Sequence, residues 1–288
     1  MATYAKSLPE VRTLPWSSLI WFGALLLACY APVLYWLGYQ WATDADMGHG
    51  FFVPAVAGYI VWQRRSQLAT VEVRPNAWGL VLVVWGAVQM LLGTLGAEIF
   101  LARTAFLVSL TGAILFLGGT KVLRIVAFPL FLLCFMIPLP AIIYARITLP
   151  LQIFASSVAE TILGLLSIPV LRDGNVLSLA NQQLDVAEAC SGIRSLLTLS
   201  FLSLVYAYFF DRKPWMRWVM LAATIPIAIA ANAGRVTITG IISNYRPDLA
   251  QGFFHTLEGW VLFIVACSLM VGFHWAANRV YAMRRARG

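Results

Sequence analysis

The chain has 288 residues, of which 61% are hydrophobic and only 11% are charged, and its formal net charge is +8. A soluble domain typically has about 45–50% apolar and about 25% charged residues, so this composition excludes a water-soluble globular enzyme. The mean hydropathy of +0.81 and the long apolar runs predict an all-α polytopic membrane protein. In a membrane protein the distribution of the positive residues indicates which side of the bilayer each loop occupies. Nucleic acid is therefore not an expected partner.

We predict about eight transmembrane helices from segments that contain roughly 20 mostly apolar residues. They cover residues 19–37, 50–62 (a shorter one), 77–96, 99–117, 122–137, 192–210, 215–242 and 259–275. No separate soluble domain is indicated, so residues 1–288 are expected to form a single integral membrane domain.

The distribution of Lys and Arg predicts the orientation of these helices, because both residues accumulate in cytoplasmic loops. Fourteen of the 20 cations fall on one side only if residues 144–168 do not cross the membrane, or cross it and return. We therefore predict that residues 141–189 form an interfacial or re-entrant helix and a small β-hairpin on the outer face, around the turn signal Asp173-Gly174. Both termini are then cytoplasmic, with residues 1–18 as an N-terminal segment and residues 276–288 as a basic tail.

Three residues that are far apart in the chain are predicted to lie at one depth near the outer face. Cys190 precedes the span 192–210, Arg235 lies twenty residues after Trp215, or about 30 Å along a helix, and His255 precedes the last span. Taken singly, each residue has a structural interpretation. A membrane cysteine usually packs as a small apolar residue, an arginine near the end of a span extends its charge to the membrane surface, and a histidine between a loop and a helix is most often a surface or capping residue. Together they carry the chemistry of acyl transfer, in which a thiolate attacks a peptide carbonyl, an imidazole transfers protons and a guanidinium stabilises the oxyanion.

Further polar residues are candidates for supporting roles at the same depth. They are Arg194, Asn232, His49, Glu258 and Glu188. Arg194 lies four residues after Cys190 on the same helical face, where its charge would lower the pKa of the thiol. Glu258 follows His255 by one turn and could fix the tautomer of the imidazole, a role for which Glu188 and Asp185 compete. No metal or cofactor is expected. A zinc protease is disfavoured because the 3 histidines are widely separated, His274 lies near the cytoplasmic end of the last span, and no H-E-x-x-H motif occurs.

Four sequence blocks resemble the signature blocks of the exosortase/archaeosortase family, in matching order and spacing. They are G-H-G-F-F-V-P at 48–54, E-A-C-S-G-I-R-S at 188–195, A-N-A-G-R at 231–235 and F-H at 254–255. The resemblance covers roughly residues 47–275. It implies a bacterial membrane cysteine protease or transpeptidase in which Cys190 is the nucleophile, Arg235 stabilises the transition state and His255 shuttles protons.

The resemblance also implies the partners and the location of the protein. The substrates would be exported proteins with a C-terminal PEP-CTERM tail, which consists of a short Pro-Glu-Pro-like motif, one transmembrane helix and a basic cluster. Cleavage would proceed through a thioacyl-enzyme, and an unidentified nucleophile would accept the acyl group. The enzyme would span the inner membrane, in contact with its lipids, with the active site facing the periplasm of an exopolysaccharide-producing cell.

A different class of protein remains an alternative to the enzyme. A non-catalytic membrane component or transporter of exopolysaccharide export would line its permeation path with the intramembrane arginine, and charge would then occur at several depths. In this sequence the candidate polar residues cluster at the outer face, which favours an enzyme with a surface cleft.

Overall fold

The computed structural model describes residues 16–180, 183–186, 192–245 and 253–287, and for residues 45, 192–194, 253–258 and 287 it describes the backbone alone. Residue contacts divide the chain into two compact units, Met1–Leu139 and Pro140–Gly288. One integral membrane domain over the whole chain stays a prediction.

The regular secondary structure in the described part of the first unit is all helical. Its helices are α1 (Trp16–Cys29), α2 (Ala31–Thr43), a 3₁₀-helix (Ala45–Phe51), α3 (Phe52–Gln63), α4 (Arg65–Thr70), α5 (Trp78–Leu95), α6 (Ile99–Leu132) and a second 3₁₀-helix (Leu133–Met136). Helices α5 and α6 pack with their backbones in close contact, since a Cβ added to Gly79 would lie 2.2 Å from the backbone nitrogen of Phe116.

A bend interrupts the first predicted span, residues 19–37. Helices α1 and α2 meet at 69°, and Pro32 stands in the first turn of α2, where its missing N–H ends the hydrogen bonding of a continuous helix. Tyr30 lies at the bend, buried, with its hydroxyl oxygen 2.8 Å from the Ser109 hydroxyl and donating to the carbonyl oxygen of Gly86. The bend is therefore anchored to α5 and α6.

The predicted spans 99–117 and 122–137 form one helical run, which consists of α6 and the second 3₁₀-helix and has a break inside α6. Gly119 has a φ of +78°, a conformation that residues with a side chain rarely adopt. A Cβ at this position would lie 1.8 Å from the carbonyl oxygen of Arg74. The break depends on the close approach of the segment between α4 and α5, which the local sequence of α6 does not reveal.

The described part of the second unit combines four helices with a small sheet. Its elements are α7 (Ala141–Leu165), β1 (Val170–Asp173), β2 (Val176–Leu179), β3 (Gln183–Asp185), α8 (Gly192–Phe210), α9 (Pro214–Tyr245) and α10 (Phe253–Arg287). The strands form an antiparallel sheet in the order β1-β2-β3, and Asp173 pairs with Val176 across a two-residue turn. The predicted hairpin is confirmed, and a third strand extends it.

The sheet lies against α7 and α9. Leu177 and Val186 are fully buried, and they pack in one cluster with Ala155 and Ala159 of α7 and with Ala233 and Val236 of α9. We call this end of the second unit, defined by the strands β1–β3, the hairpin end. Helix α9 packs against α7, α8 and α10, so one helix connects the hairpin end with the rest of the unit.

The prediction of eight spans is not confirmed. Among the described residues, five helices are individually long and apolar enough to cross a membrane, and the number rises to six if the bent pair α1–α2 is one span. Helix α3 has 12 residues and the described apolar part of α8, Ser195–Phe210, is also short. The 25-residue helix α7 is one of the five, so its interfacial placement stays a prediction.

Candidate functional site

Arg235 lies on α9 at the hairpin end of the second unit. Its neighbours Ala233 and Val236 are buried in the cluster beneath the sheet, so this turn of α9 packs on the hairpin. The Arg235 side chain is half-buried, and its Nε atom is fully shielded from solvent. The sequence predicts Arg235 near the outer face, about 30 Å along the helix from Trp215. The structure places Arg235 next to the hairpin, and its position relative to the membrane stays a prediction.

The guanidinium of Arg235 lies beside Gly259 of α10. A Cβ built on Gly259 would lie 3.2 Å from Nη2 and 3.4 Å from Cζ of Arg235. His255 precedes Gly259 by four residues in the same helix, which puts its backbone about 6 Å farther along the helix and on the same face. Arg235 thus lies beside the part of α10 that carries His255.

A small cavity of about 20 Å³ adjoins the Arg235 side chain, between α8, α9 and α10. Its polar lining comes from Ser195, Asn232 and Arg235, while Leu199 and Phe263 contribute to its apolar wall. Asn232 is 9% exposed and lies three residues before Arg235, on the same face of α9. The cavity has the size of about one water molecule. A carbonyl oxygen that reached its mouth would meet two side chains with N–H donors.

The structure describes the chain on both sides of the candidate nucleophile. Cys190 and Glu188 themselves lie outside the described residues, and Arg194, His255 and Glu258 are described by their backbone alone. Val186, four positions before the cysteine, is buried under the sheet. Ser195, five positions after it, lines the same cavity as Arg235. The described residues that flank Cys190 therefore both lie at the hairpin end.

His49 belongs to the first unit of the chain, whereas Arg235 belongs to the second. It is 8% exposed, and its Nε2 atom donates to the carbonyl oxygen of Phe135 at 3.1 Å. Burial lowers the pKa of His49, while backbone hydrogen bonds at Phe135 and Asp46 act in the opposite direction. The described contact links two 3₁₀ segments, and a role for His49 in the active site stays a prediction.

A polar network that sequence reasoning missed lies at the opposite end of α8, α9 and α10. Asp211 accepts hydrogen bonds from the Lys213 backbone N–H at 2.8 Å and from Asn278 Nδ2 at 2.9 Å, and its Oδ2 lies 3.0 Å from His274 Nε2. Tyr206 contacts the other ring nitrogen of His274. The four-residue spacing of His274 and Asn278 on one helical face was the available signal. The network joins the ends of these helices, far from Arg235.

The fold and the site define a class: a polytopic helical membrane protein with a half-buried guanidinium and a small polar cavity at the hairpin end of its second unit. No group of three His, Cys, Asp or Glu side chains in the described part is arranged to hold a metal ion.

The family model described as transmembrane exosortase matches residues 41–272. This range covers most of the chain and includes Cys190, Arg235 and His255, so the chain belongs to the transmembrane exosortase family. Neither a curated protein nor a solved structure matches it.

Proposed function

We propose that this protein is a membrane cysteine peptidase or transpeptidase that removes C-terminal PEP-CTERM-type sorting tails from exported proteins. The observation that carries the proposal is the position of the Arg235 guanidinium beside Gly259 of α10, one helical turn from His255. Together with the flanking residues of Cys190, this position supports a common site for a thiol, an imidazole and a guanidinium.

The reaction would begin at the carbonyl carbon of the scissile peptide bond. His255 takes the proton of the Cys190 thiol, and the thiolate attacks this carbon. The negative charge that develops on the carbonyl oxygen is stabilised by Arg235, with Asn232 as a second donor. When the intermediate collapses, the C–N bond breaks, His255 gives its proton to the leaving amine, and the exported protein remains attached to Cys190 as a thioester.

The second half of the reaction releases the thioester. An acceptor nucleophile, which is an amine in transpeptidation and water in hydrolysis, loses a proton to His255 and attacks the same carbon. The C–S bond breaks, and the thiolate leaves and takes the proton back. Arg194 supports the thiolate form of Cys190, because a cation one turn away lowers the pKa of a thiol.

The proposed location is the inner membrane, with the hairpin end facing the periplasm and both termini in the cytoplasm. The basic residues Arg212, Lys213 and Arg217 support it, since they cluster near the other end of α8 and α9. The substrate tail would then present its motif to Arg235 at the periplasmic surface, while its own basic cluster remains in the cytoplasm. The acceptor nucleophile and the membrane lipids complete the proposed partners.

Co-expression with a tailed reporter tests the proposal. The reporter is a periplasmic domain followed by a Pro-Glu-Pro-like motif, one transmembrane helix and an arginine cluster, and tail removal is followed by mass. We expect Cys190→Ala and Cys190→Ser to abolish cleavage. We expect Arg235→Lys to reduce turnover about 10²–10³-fold. The planar guanidinium of arginine can hold the oxyanion in a fixed geometry, whereas the ammonium group of lysine is a mobile point charge.

A matched substitution separates this effect from a general sensitivity to arginine replacement. Arg172 also lies at the hairpin end, where it pairs with Glu160 at 2.7 Å, and Arg172→Lys should retain near wild-type cleavage because lysine preserves the ion pair. All rates are normalised to the enzyme found in the membrane. Wild-type cleavage by Arg235→Lys would remove Arg235 from the proposed chemistry, and cleavage by Cys190→Ala would refute the proposed nucleophile.

A further inference from the structure

We infer that Gly259 is a positioning residue of this site, and that its missing side chain sets the place of the Arg235 guanidinium. The inference rests on the proposed function, in which Arg235 stabilises the oxyanion. Gly259 has no side chain with which to act on the substrate, so its role is exerted through Arg235, whose guanidinium lies beside it.

A side chain at position 259 would meet Arg235 before any other residue of the described structure. The three nearest heavy atoms to a Cβ built on Gly259 are Nη2, Cζ and Nη1 of Arg235, at 3.2, 3.4 and 3.7 Å. The first distance is shorter than nine in ten real Cβ contacts. All three atoms belong to the far end of a flexible side chain, so an alanine here would fit by moving the guanidinium a few tenths of an ångström.

The guanidinium adjoins the small cavity of the site. This cavity measures about 20 Å³, and Gly259 and Arg235 both line it. A displacement toward the cavity would bring the guanidinium into the space that Asn232 and Ser195 also line. Since rates respond to misplacements of catalytic groups by fractions of an ångström, the displacement should appear as lost turnover.

Helix propensity would have favoured another residue at this position. Glycine in a helix interior is less favourable than alanine, so Gly259→Ala strengthens the intrinsic preference of α10 for the helix. Gly272 lies in the same helix and has no atom within 4 Å of a Cβ built on it. Gly272→Ala is thus a matched control, which makes the same change of helix propensity without the contact.

The expected results follow from steady-state kinetics with the tailed reporter and the full-length enzyme in membranes. Gly259→Ala should lower kcat about 10-fold with little change in KM, because the guanidinium acts on the transition state. Gly259→Val should lower kcat more strongly, and Gly272→Ala should match the wild type. A purely structural role of Gly259 would lower the amount of folded enzyme instead and would leave kcat per folded molecule unchanged.

A double substitution distinguishes this inference from the proposed function. Lysine lacks the forked end that meets the Cβ, so adding Gly259→Ala to Arg235→Lys should change kcat by less than about 2-fold. If Arg235→Lys alone retains wild-type kcat, the oxyanion role of Arg235 in the proposed function fails, and this inference fails with it. If Arg235→Lys is impaired but Gly259→Ala has wild-type kcat, or if the two losses multiply, the inference is overturned. Failure of Gly259→Ala to accumulate where Gly272→Ala accumulates also overturns it, because the Cβ is then not accommodated by the guanidinium.

Discussion

Asp211→Asn is a conservative change in shape that should destabilise the end of the helix bundle opposite Arg235. The Asp211 side chain is only 5% exposed, and both carboxylate oxygens are engaged. Oδ1 accepts from the Lys213 backbone N–H, and Oδ2 accepts from Asn278 and lies 3.0 Å from His274 Nε2. An asparagine amide offers one acceptor and one donor, so in either orientation its NH₂ group faces another N–H donor.

The magnitude follows from this mismatch. A buried hydrogen bond to a charged group contributes about 1.5–3 kcal/mol. Asp211→Asn should therefore lower the free energy of unfolding by about 1.5–3 kcal/mol at neutral pH. The assay is equilibrium unfolding of the purified protein in micelles. Asp173→Asn is the control, because Asp173 is exposed on β1 and its replacement should leave the stability unchanged.

The pH dependence gives the same reasoning a second test. Burial by itself raises the pKa of Asp211, but hydrogen bonds from Lys213, Asn278 and His274 outweigh it and hold the pKa below its usual range. A lowered pKa in the folded state contributes stability that is present above the unfolded value, about 3.9, and is lost as the pH falls through the folded value. The gap between wild type and Asp211→Asn should thus be complete above about pH 4 and close in stronger acid. Equal stability at pH 7, or a gap that does not change with pH, would refute the reasoning.

Two further predictions concern the fold and the topology. Gly119→Ala should prevent accumulation of the protein in the membrane, because the alanine Cβ would lie 1.8 Å from the backbone oxygen of Arg74. The amount is measured by immunoblot, with Gly164→Ala as the control, since a Cβ on Gly164 would have no atom within 4 Å. Normal accumulation of Gly119→Ala would contradict the close approach. A cysteine at the exposed position Asp173 should react with an impermeant thiol reagent in cells with a permeable outer membrane, and protection would contradict a periplasmic hairpin. Asp173 is preferable to its neighbour Gly174 for this test, because Gly174 has a φ of +61° that a cysteine would strain.

Local composition determined the helices and the sheet to a large extent. The span predicted at 77–96 is the helix Trp78–Leu95, and the span predicted at 192–210 is the helix Gly192–Phe210. The turn signal Asp173-Gly174 lies at the turn between β1 and β2. These features were predictable because an apolar run or a turn residue acts within a few neighbours in the chain. The sequence blocks likewise determined the family, and the roles of Cys190 and His255 stay predictions.

Contacts between residues far apart in the chain decided the rest. The hydrogen bond between Tyr30 and Ser109 anchors the bend between α1 and α2 to α6, and the break at Gly119 depends on a carbonyl group from another segment. Gly259 looks like any helical glycine in the sequence, and only the packing of α9 on α10 brings a guanidinium against it. The sequence by itself therefore determined a helical membrane protein of the exosortase family with its candidate residues. Only the tertiary structure decided where α6 breaks and which surface holds Arg235, because both depend on packing between elements that the chain separates.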